Sequence, residues 1–247
     1  MKTILSHFYN EEYLLPWWLE HHKKYFDYGI LIDYHSTDRS VEIIRSICPD
    51  WKVVTTTNDC FDARKVDQEI MNYESEVFGW KITLNTTEFL YGDYNILNDD
   101  VEEKQYLIKS LFFVSNPEVE EYPDTSIPLH YNIITALDIN IPENNIRGTR
   151  SIHNHNVVYD TGRHMSHGSS HPYLTNDLKI FYYGFAPYNE KVLQRKLQIQ
   201  DRIPQTDKSS GLGFQHVVTR EELIYRWKFY YSDAVNVLDE MNKYVLY

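Results

Sequence analysis

The chain is short of cysteine, of positive charge and of long apolar runs. Cys48 and Cys60 are the only cysteines in 247 residues. Two well-spaced cysteines make no disulfide framework, so a reduced, cytoplasmic setting is the expectation. No apolar stretch is long enough to span a bilayer, and the N-terminal apolar run breaks at Ser6-His7, which argues against a signal peptide. Lysine and arginine number 24 against 36 acids, for a net charge of -12. Such a chain is a poor general binder of nucleic acid or of an anionic membrane. There is no internal repeat and no low-complexity linker, and Gly211-Leu-Gly213 lacks the rest of a dinucleotide fingerprint.

What is present fits one large domain. Hydrophobic residues make up 42% of the chain, enough for a full core. Tyrosine is abundant at 21 residues, with five tryptophans. Such rings suit either a packed core or a wall that meets sugars or bases. The charge is uneven. Residues 93–124 are dense in acids, Asp99 and Asp100 among them, whereas residues 147–208 carry Arg147, Arg150, Arg163, Arg195, Lys196 and five of the eleven histidines. An anionic ligand is expected to meet the later stretch.

Along the chain, Lys2 to Tyr9 reads as a strand and is followed at once by Asn10-Glu11-Glu12. A helix beginning near Pro16 follows, since proline suits a first turn and breaks an interior one. Tyr28 to Asp33 is a second strand, and Ser36-Thr-Asp38-Arg-Ser40 opens another helix, capped by Asp38 or Ser40. Strands over 51–56, 80–84 and 105–114 alternate with a helix over 63–77. This alternation predicts an α/β fold with a mostly parallel, Rossmann-like sheet and right-handed crossovers. Ligands of such sheets bind past the carboxyl ends of the strands, where helix N-termini attract phosphate.

Beyond residue 115 the pattern loosens, with prolines at 117, 123, 128 and 142. Ser151 to Tyr159 reads as one strand, with His153 and His155 on a shared face. Gly162 to His171 reads as a loop, Lys179 to Phe185 as a strand and Asn189 to Gln200 as a helix. Thr219 and Glu222 make a capping box, after which Leu223, Trp227, Tyr230, Ala234, Val237, Met241 and Val245 form the apolar stripe of a single helix. The expected organisation is a domain over 1–218, divided into halves 1–115 and 116–218, and a C-terminal helix over 219–247. That helix packs on the domain or makes a homodimer.

Tyr9-Asn-Glu-Glu12, Trp17-Trp-Leu-Glu-His-His22 and Asp33 with Ser36 and Asp38 resemble glycosyltransferases of the GT-A fold, families two and ninety-two. Trp80-Lys-Ile-Thr-Leu-Asn85-Thr-Thr87-Glu88-Phe-Leu90 lines up with that family's Asp-x-Asp-Glu-Phe-Leu. The resemblance covers about residues 1–95. It implies transfer of a sugar from a nucleoside-diphosphate sugar to a glycan or other hydroxyl acceptor, with inversion of the anomeric centre, and a role in polysaccharide assembly. In the family two aspartates hold a divalent metal; here Asn85 and Thr87 stand in their places. Amide and hydroxyl groups are poor ligands for a hard cation. No metal or other cofactor is therefore assigned, with manganese or magnesium held differently as the alternative.

The resemblance places Tyr9, Asn10, Glu11, Asp33, Ser36, Asn85 and Thr87 at the nucleotide sugar. Cationic substitutes for the metal are sought in His153, His155, Arg163, His164 and Lys196. Glu88, and behind it Asp160, are the candidates for the base that takes the acceptor's proton. Two rivals stand beside this reading: an inactive module that binds a nucleotide or sugar, and a histidine-metal phosphoesterase built on His153 and His155.

Overall fold

Four parallel strands set the centre of the sheet. In the computed structural model, which describes residues 1–98, 102–137 and 149–245, these are β1 (Lys2–Phe8), β2 (Tyr28–Asp33), β3 (Lys52–Thr55) and β4 (Trp80–Thr83). They lie in the order β3-β2-β1-β4, with Leu5 opposite Ile30 on one side and Thr83 on the other. Helices α1 (Leu15–His22), α2 (Ser40–Ile47) and α3 (Ala63–Ser75) make the crossovers. Both faces of the centre are covered, so β2 is apolar along its length rather than alternating. Asp99, Asp100, Pro142 and Arg147 lie outside the described residues.

The remaining strands are β5 (Glu88–Gly92), β6 (Gln105–Val114), β7 (Thr135–Leu137), β8 (Arg150–His153), β9 (Val157–Tyr159), β10 (Ser166–Gly168), β11 (Tyr173–Phe185) and β12 (Ala234–Asn236). Strand β8 runs antiparallel between β4 and β6, and β11 pairs parallel with β6 and antiparallel with β5. The α/β class and the helix-flanked, parallel centre are as the alternation predicts. The stretch read as one strand over 151–159 is two, β8 and β9, and the loop over 162–171 contains β10. The polar run after β4 is also shorter than its composition implies, because Glu88 to Gly92 leaves as a strand antiparallel to β11. Gly92 is required there: at φ +123, a Cβ would lie 2.0 Å from the Asp177 carbonyl oxygen.

The C-terminal segment is helical, but in two pieces, α6 (Arg220–Ser232) and α7 (Leu238–Val245), preceded by α4 (Glu190–Leu197) and α5 (Gln205–Ser209). The capping box of Thr219 and Glu222 starts α6 as predicted. At Ala234 the chain leaves the helix and pairs antiparallel with β7. Asn236 then accepts from the Leu238 N–H at 2.9 Å and starts α7. The apolar stripe consequently lies in the domain itself: Leu223, Trp227, Val237 and Met241 are buried in its cores. Helix α6 packs on β6 and β7, and α7 on β5 and β11.

Helix α1 carries the most consequential contacts for the site. Trp18 is fully buried, and its indole N–H donates to the carbonyls of Asn85 at 3.1 Å and Glu88 at 3.0 Å. One turn later, His22 donates from Nδ1 to the Trp18 carbonyl and accepts the Leu90 N–H at Nε2. An imidazole in that position is neutral, and burial holds its pKa well below the usual 6.5. Below pH 6.5 the unfolded chain therefore binds a proton that the folded chain refuses, and stability falls with pH. His22 alone is expected to cost about 1.4 kcal/mol per pH unit. Urea unfolding of the wild type and of His22→Gln at pH 7 and pH 5 checks this, and an equal change between the two pH values in both proteins would show that His22 does not titrate differently on folding.

Candidate functional site

The turns after β1 and β2 are laced to each other. Asn10 sits at φ +50, a left-handed position that asparagine tolerates. Its N–H donates to Ser36 Oγ at 3.0 Å, and its side-chain oxygen accepts from the Thr37 N–H at 2.8 Å. The Glu11 N–H donates to Ser40 Oγ at 2.8 Å, and Asp33 accepts from the Ser36 N–H at 2.8 Å. Asp38 serves Ser40 and Glu12 in the same way, while the residue preceding α2, Arg39, makes no side-chain cap. Asn10, Asp33 and Ser36 are thus brought together, and they shape the strand edge by binding one another.

Beside Asp33 stands an aromatic wall. Phe61 stacks on Tyr34 with centroids 4.7 Å apart, and Arg202 lies 4.7 Å over the Tyr9 ring. The Arg202 guanidinium also donates to the Tyr34 carbonyl at 3.1 Å. Of these residues only Tyr9 and Asp33 are legible in the motif. Phe61 and Arg202 arrive from distant segments.

The second half of the site is a set of arginines around the turn after β4. Arg195, on α4, pairs with the buried Glu11 at 2.5 Å and reaches Thr86 Oγ1 at 3.4 Å. Burial raises the Glu11 pKa, and Arg195 opposes it. Arg163, at φ +60, pairs with Asp67 of α3 and donates to the Asn85 side-chain oxygen at 3.3 Å. It also approaches His7 Nδ1 at 3.5 Å. His7 is held neutral by burial first and by Arg163 and Arg150 next. Arg150 on β8 grips Glu88 through two bonds, at 3.0 and 2.7 Å, and donates to His164 Nδ1 at 2.8 Å. Burial, then Arg150, lowers the His164 pKa. Tyr182 lies in the same field, pushed up to about 12 by burial and by Glu88. Arg195 is a site residue that the motif comparison missed; its signal was the basic run Arg195-Lys196 on a capped helix.

Several expected residues stand elsewhere or are engaged. Glu88 is not a free base: both its oxygens accept from Arg150, and one also accepts the Asn85 N–H at 2.8 Å. Asp160 is exposed on the β9–β10 hairpin and pairs with His167 at 3.2 Å. Thr87 is buried, and its carbonyl accepts the Tyr183 N–H, so Thr86 rather than Thr87 meets the arginine. His153 is fully buried, 3.5 Å from Glu74. Burial pushes the Glu74 pKa up, but His153 and bonds from Thr83 and Tyr159 outweigh it and hold the carboxyl low. His155 bonds Ser170 at 2.7 Å. Glu74 ties His153 to α3, His155 is held by Ser170 and the Asn156 carbonyl, and neither joins the arginines. The strand face expected to carry both does not form, because β8 ends at His153 and His155 lies in the bend before β9.

The metal of the family does not fit this donor set. A cation would meet an amide, a hydroxyl and a glutamate already held by Arg150, with Arg163 and Arg195 repelling it. Among the described residues no three His, Cys, Asp or Glu side chains are grouped to hold a metal ion, and no helix is long and apolar enough to cross a membrane.

No family model and no curated protein matches this sequence. Among solved structures, the chain is similar to S. aureus TarS residues 1–349. The two share 11% identity with a TM-score of 0.41, over 81% of this chain and 64% of that one. This chain therefore spans less than two thirds of the TarS structure's length. The family two and family ninety-two resemblance rests on the N-terminal motif.

Proposed function

We propose that this chain is a glycosyltransferase of the GT-A type that takes a nucleoside-diphosphate sugar and neutralises its diphosphate with arginines in place of a metal. The observation that carries the reading is the convergence of Arg163 and Arg195 on Asn85 and Thr86, the turn where the family's metal aspartates would stand. The aromatic wall of Tyr9, Tyr34 and Phe61 beside Asp33 suits a nucleobase and its ribose. Arginine keeps its charge at any working pH and presents a planar fork to phosphate oxygens. Preorganised donors of this kind stabilise charge developing on a leaving diphosphate without a bound ion. Sugar, acceptor and stereochemical course follow the family resemblance only.

A second reading, a module of the same fold that binds without turnover, is favoured by the engagement of Glu88, which leaves the transfer without the carboxylate base the motif supplies. A thermal-shift panel of UDP-, GDP-, dTDP- and CMP-sugars, each with manganese and with EDTA, tests both. A ligand that binds only the native state raises the melting temperature. One nucleotide class is expected to stabilise the protein equally in manganese and in EDTA. Stabilisation that requires manganese would overturn the arginine assignment, and no stabilisation by any donor would overturn both readings. Release of free nucleotide from the stabilising donor, with acceptor present, separates enzyme from module.

A further inference from the structure

Of the cations expected at the diphosphate, Lys196 stands 4.0 Å over the Phe185 ring, and Arg163 is carried by the loop of the β9–β10 hairpin. These two strands pair with each other and form a sheet of their own, separate from the ten-stranded one. A lone two-stranded hairpin is marginal in water. Val157 and Tyr159 seat this one on the cluster that contains Val66 and Ile70 of α3. Apolar contact of that kind is non-directional, whereas hydrogen bonds fix an angle. The aim of Arg163 is therefore set by the side chains that bond to the hairpin.

Two of them hold its last paired residues, Tyr159 and Ser166, which face each other across the strands. From α3, Glu74 accepts from the Tyr159 hydroxyl at 2.8 Å. From β6, the Gln105 amide donates to the Ser166 carbonyl at 3.0 Å and to its hydroxyl at 2.8 Å. All four residues are buried. His153 stands between the two grips, opposite Gln105 in the sheet and 3.5 Å from Glu74. Beyond Tyr159 and Ser166 the loop closes on itself. The Asp160 N–H donates to the Met165 carbonyl at 3.0 Å, and the Arg163 N–H to the Asp160 carbonyl at 2.8 Å. Asp67 then accepts from the Gly162 N–H at 2.9 Å and from the Arg163 guanidinium. Asp67 and Glu74 are about two turns apart on one face of α3. One helix thus holds both the foot and the tip of the loop.

We propose that Glu74 and Gln105 are positioning residues for Arg163: by fixing Tyr159 and Ser166 they set the direction in which the loop presents its guanidinium to Asn85. The consequence for transfer rests on the glycosyl-transfer reading; the grip itself does not. The same Glu74 oxygen accepts from the Thr83 hydroxyl at 2.7 Å. Thr83 ends β4, two residues before Asn85, so the hairpin is tied to the strand whose turn it serves. A buried carboxylate and a buried amide cost desolvation that apolar side chains would not, so packing alone does not select them for these places.

Amide hydrogen exchange in the full chain, without nucleotide, tests the grip. Tyr159→Phe deletes the hydroxyl on Glu74 and leaves that carboxylate its Thr83 bond, and Gln105→Met deletes the donor to Ser166. Each is expected to speed exchange of the Gly162 and Arg163 amides by about fivefold, the effect of one buried bond on local opening. Wild-type rates in both variants would overturn the grip. Positioning is read by a double-mutant cycle in kcat, with the nucleotide sugar that thermal shift selects. Tyr159→Phe with Gln105→Met is expected to lower kcat by at least about tenfold, as a small misplacement of a catalytic group does. The pair is expected to lower it no further in protein that carries Arg163→Gln with Asp67→Asn. An equal loss in both backgrounds would mean a merely structural role and would overturn the assignment. The single substitutions carry the same cycle if the pair does not fold. Wild-type protein without turnover would overturn the transfer reading instead, and the exchange rates would still decide the grip.

Discussion

Replacing Arg150 by methionine is expected to destabilise the protein by about 3–5 kcal/mol, the cost of leaving a buried carboxylate without its partner. Arg150 and Glu88 are each about one-twentieth exposed, with side-chain values of 5% and 6%, and their closest approach is 2.7 Å. The guanidinium also donates to the Gly162 and Arg163 carbonyls, at 3.3 and 3.4 Å. It therefore joins β8, the start of β5 and the loop that presents Arg163. The loss belongs to the unpaired charge rather than to the pair. Glu88→Leu together with Arg150→Met is accordingly expected to recover much of it. Equilibrium urea unfolding of the two variants decides the matter. A cost below about 1 kcal/mol for Arg150→Met would mean that water replaces the arginine and that the pair is an ordinary surface bridge.

The second large effect is on turnover. Arg163→Gln combined with Asp67→Asn keeps a neutral hydrogen-bonding pair where the ion pair stood, so the fold is protected from an orphaned buried aspartate. On the glycosyl-transfer reading, this variant is expected to lose about 10²–10³ in kcat, the usual consequence of removing one preorganised donor from developing charge. An interaction made chiefly in the transition state lowers kcat and kcat/KM together, whereas one made equally with the bound donor raises KM alone. Single-turnover transfer with the nucleotide class found by thermal shift distinguishes these. Unchanged kcat in a folded variant would remove Arg163 from the machinery and leave Arg195 to account for the charge.

The buried histidines show where sequence reading and structure part. A pair of histidines two residues apart on one expected strand is a reasonable ligand set. The strand was legible as far as His153, where β8 ends, but the helix covering that side was not. Helix α3 supplies Glu74, with Thr83 and Tyr159 beside it, so His153 is a core residue. Arg163 was legible only as a charge in a basic stretch. Its left-handed backbone and its reach to Asn85 depend on Asp67, about a hundred positions earlier in the chain.

The sequence by itself determined the central β-α-β units, because a parallel strand buried on both faces is written as an apolar run and its helix as a period of 3.6. It also determined the strand-edge turn of Asn10, Asp33 and Ser36, whose partners lie within thirty residues, and the start of α6, whose capping box is local. Tertiary structure alone decided the rest. The C-terminal helix broke at Ala234 because β7 offered an open edge to pair with. Glu88 became a structural anchor because β8 placed Arg150 against it. The cationic site joined residues 150, 163 and 195 to the turn at 85–88 because β11 and α4 return the late chain to the ends of β1 and β4. Side chains so far apart in sequence carry no mutual periodicity, and only the closing of the sheet brings them within reach of one another.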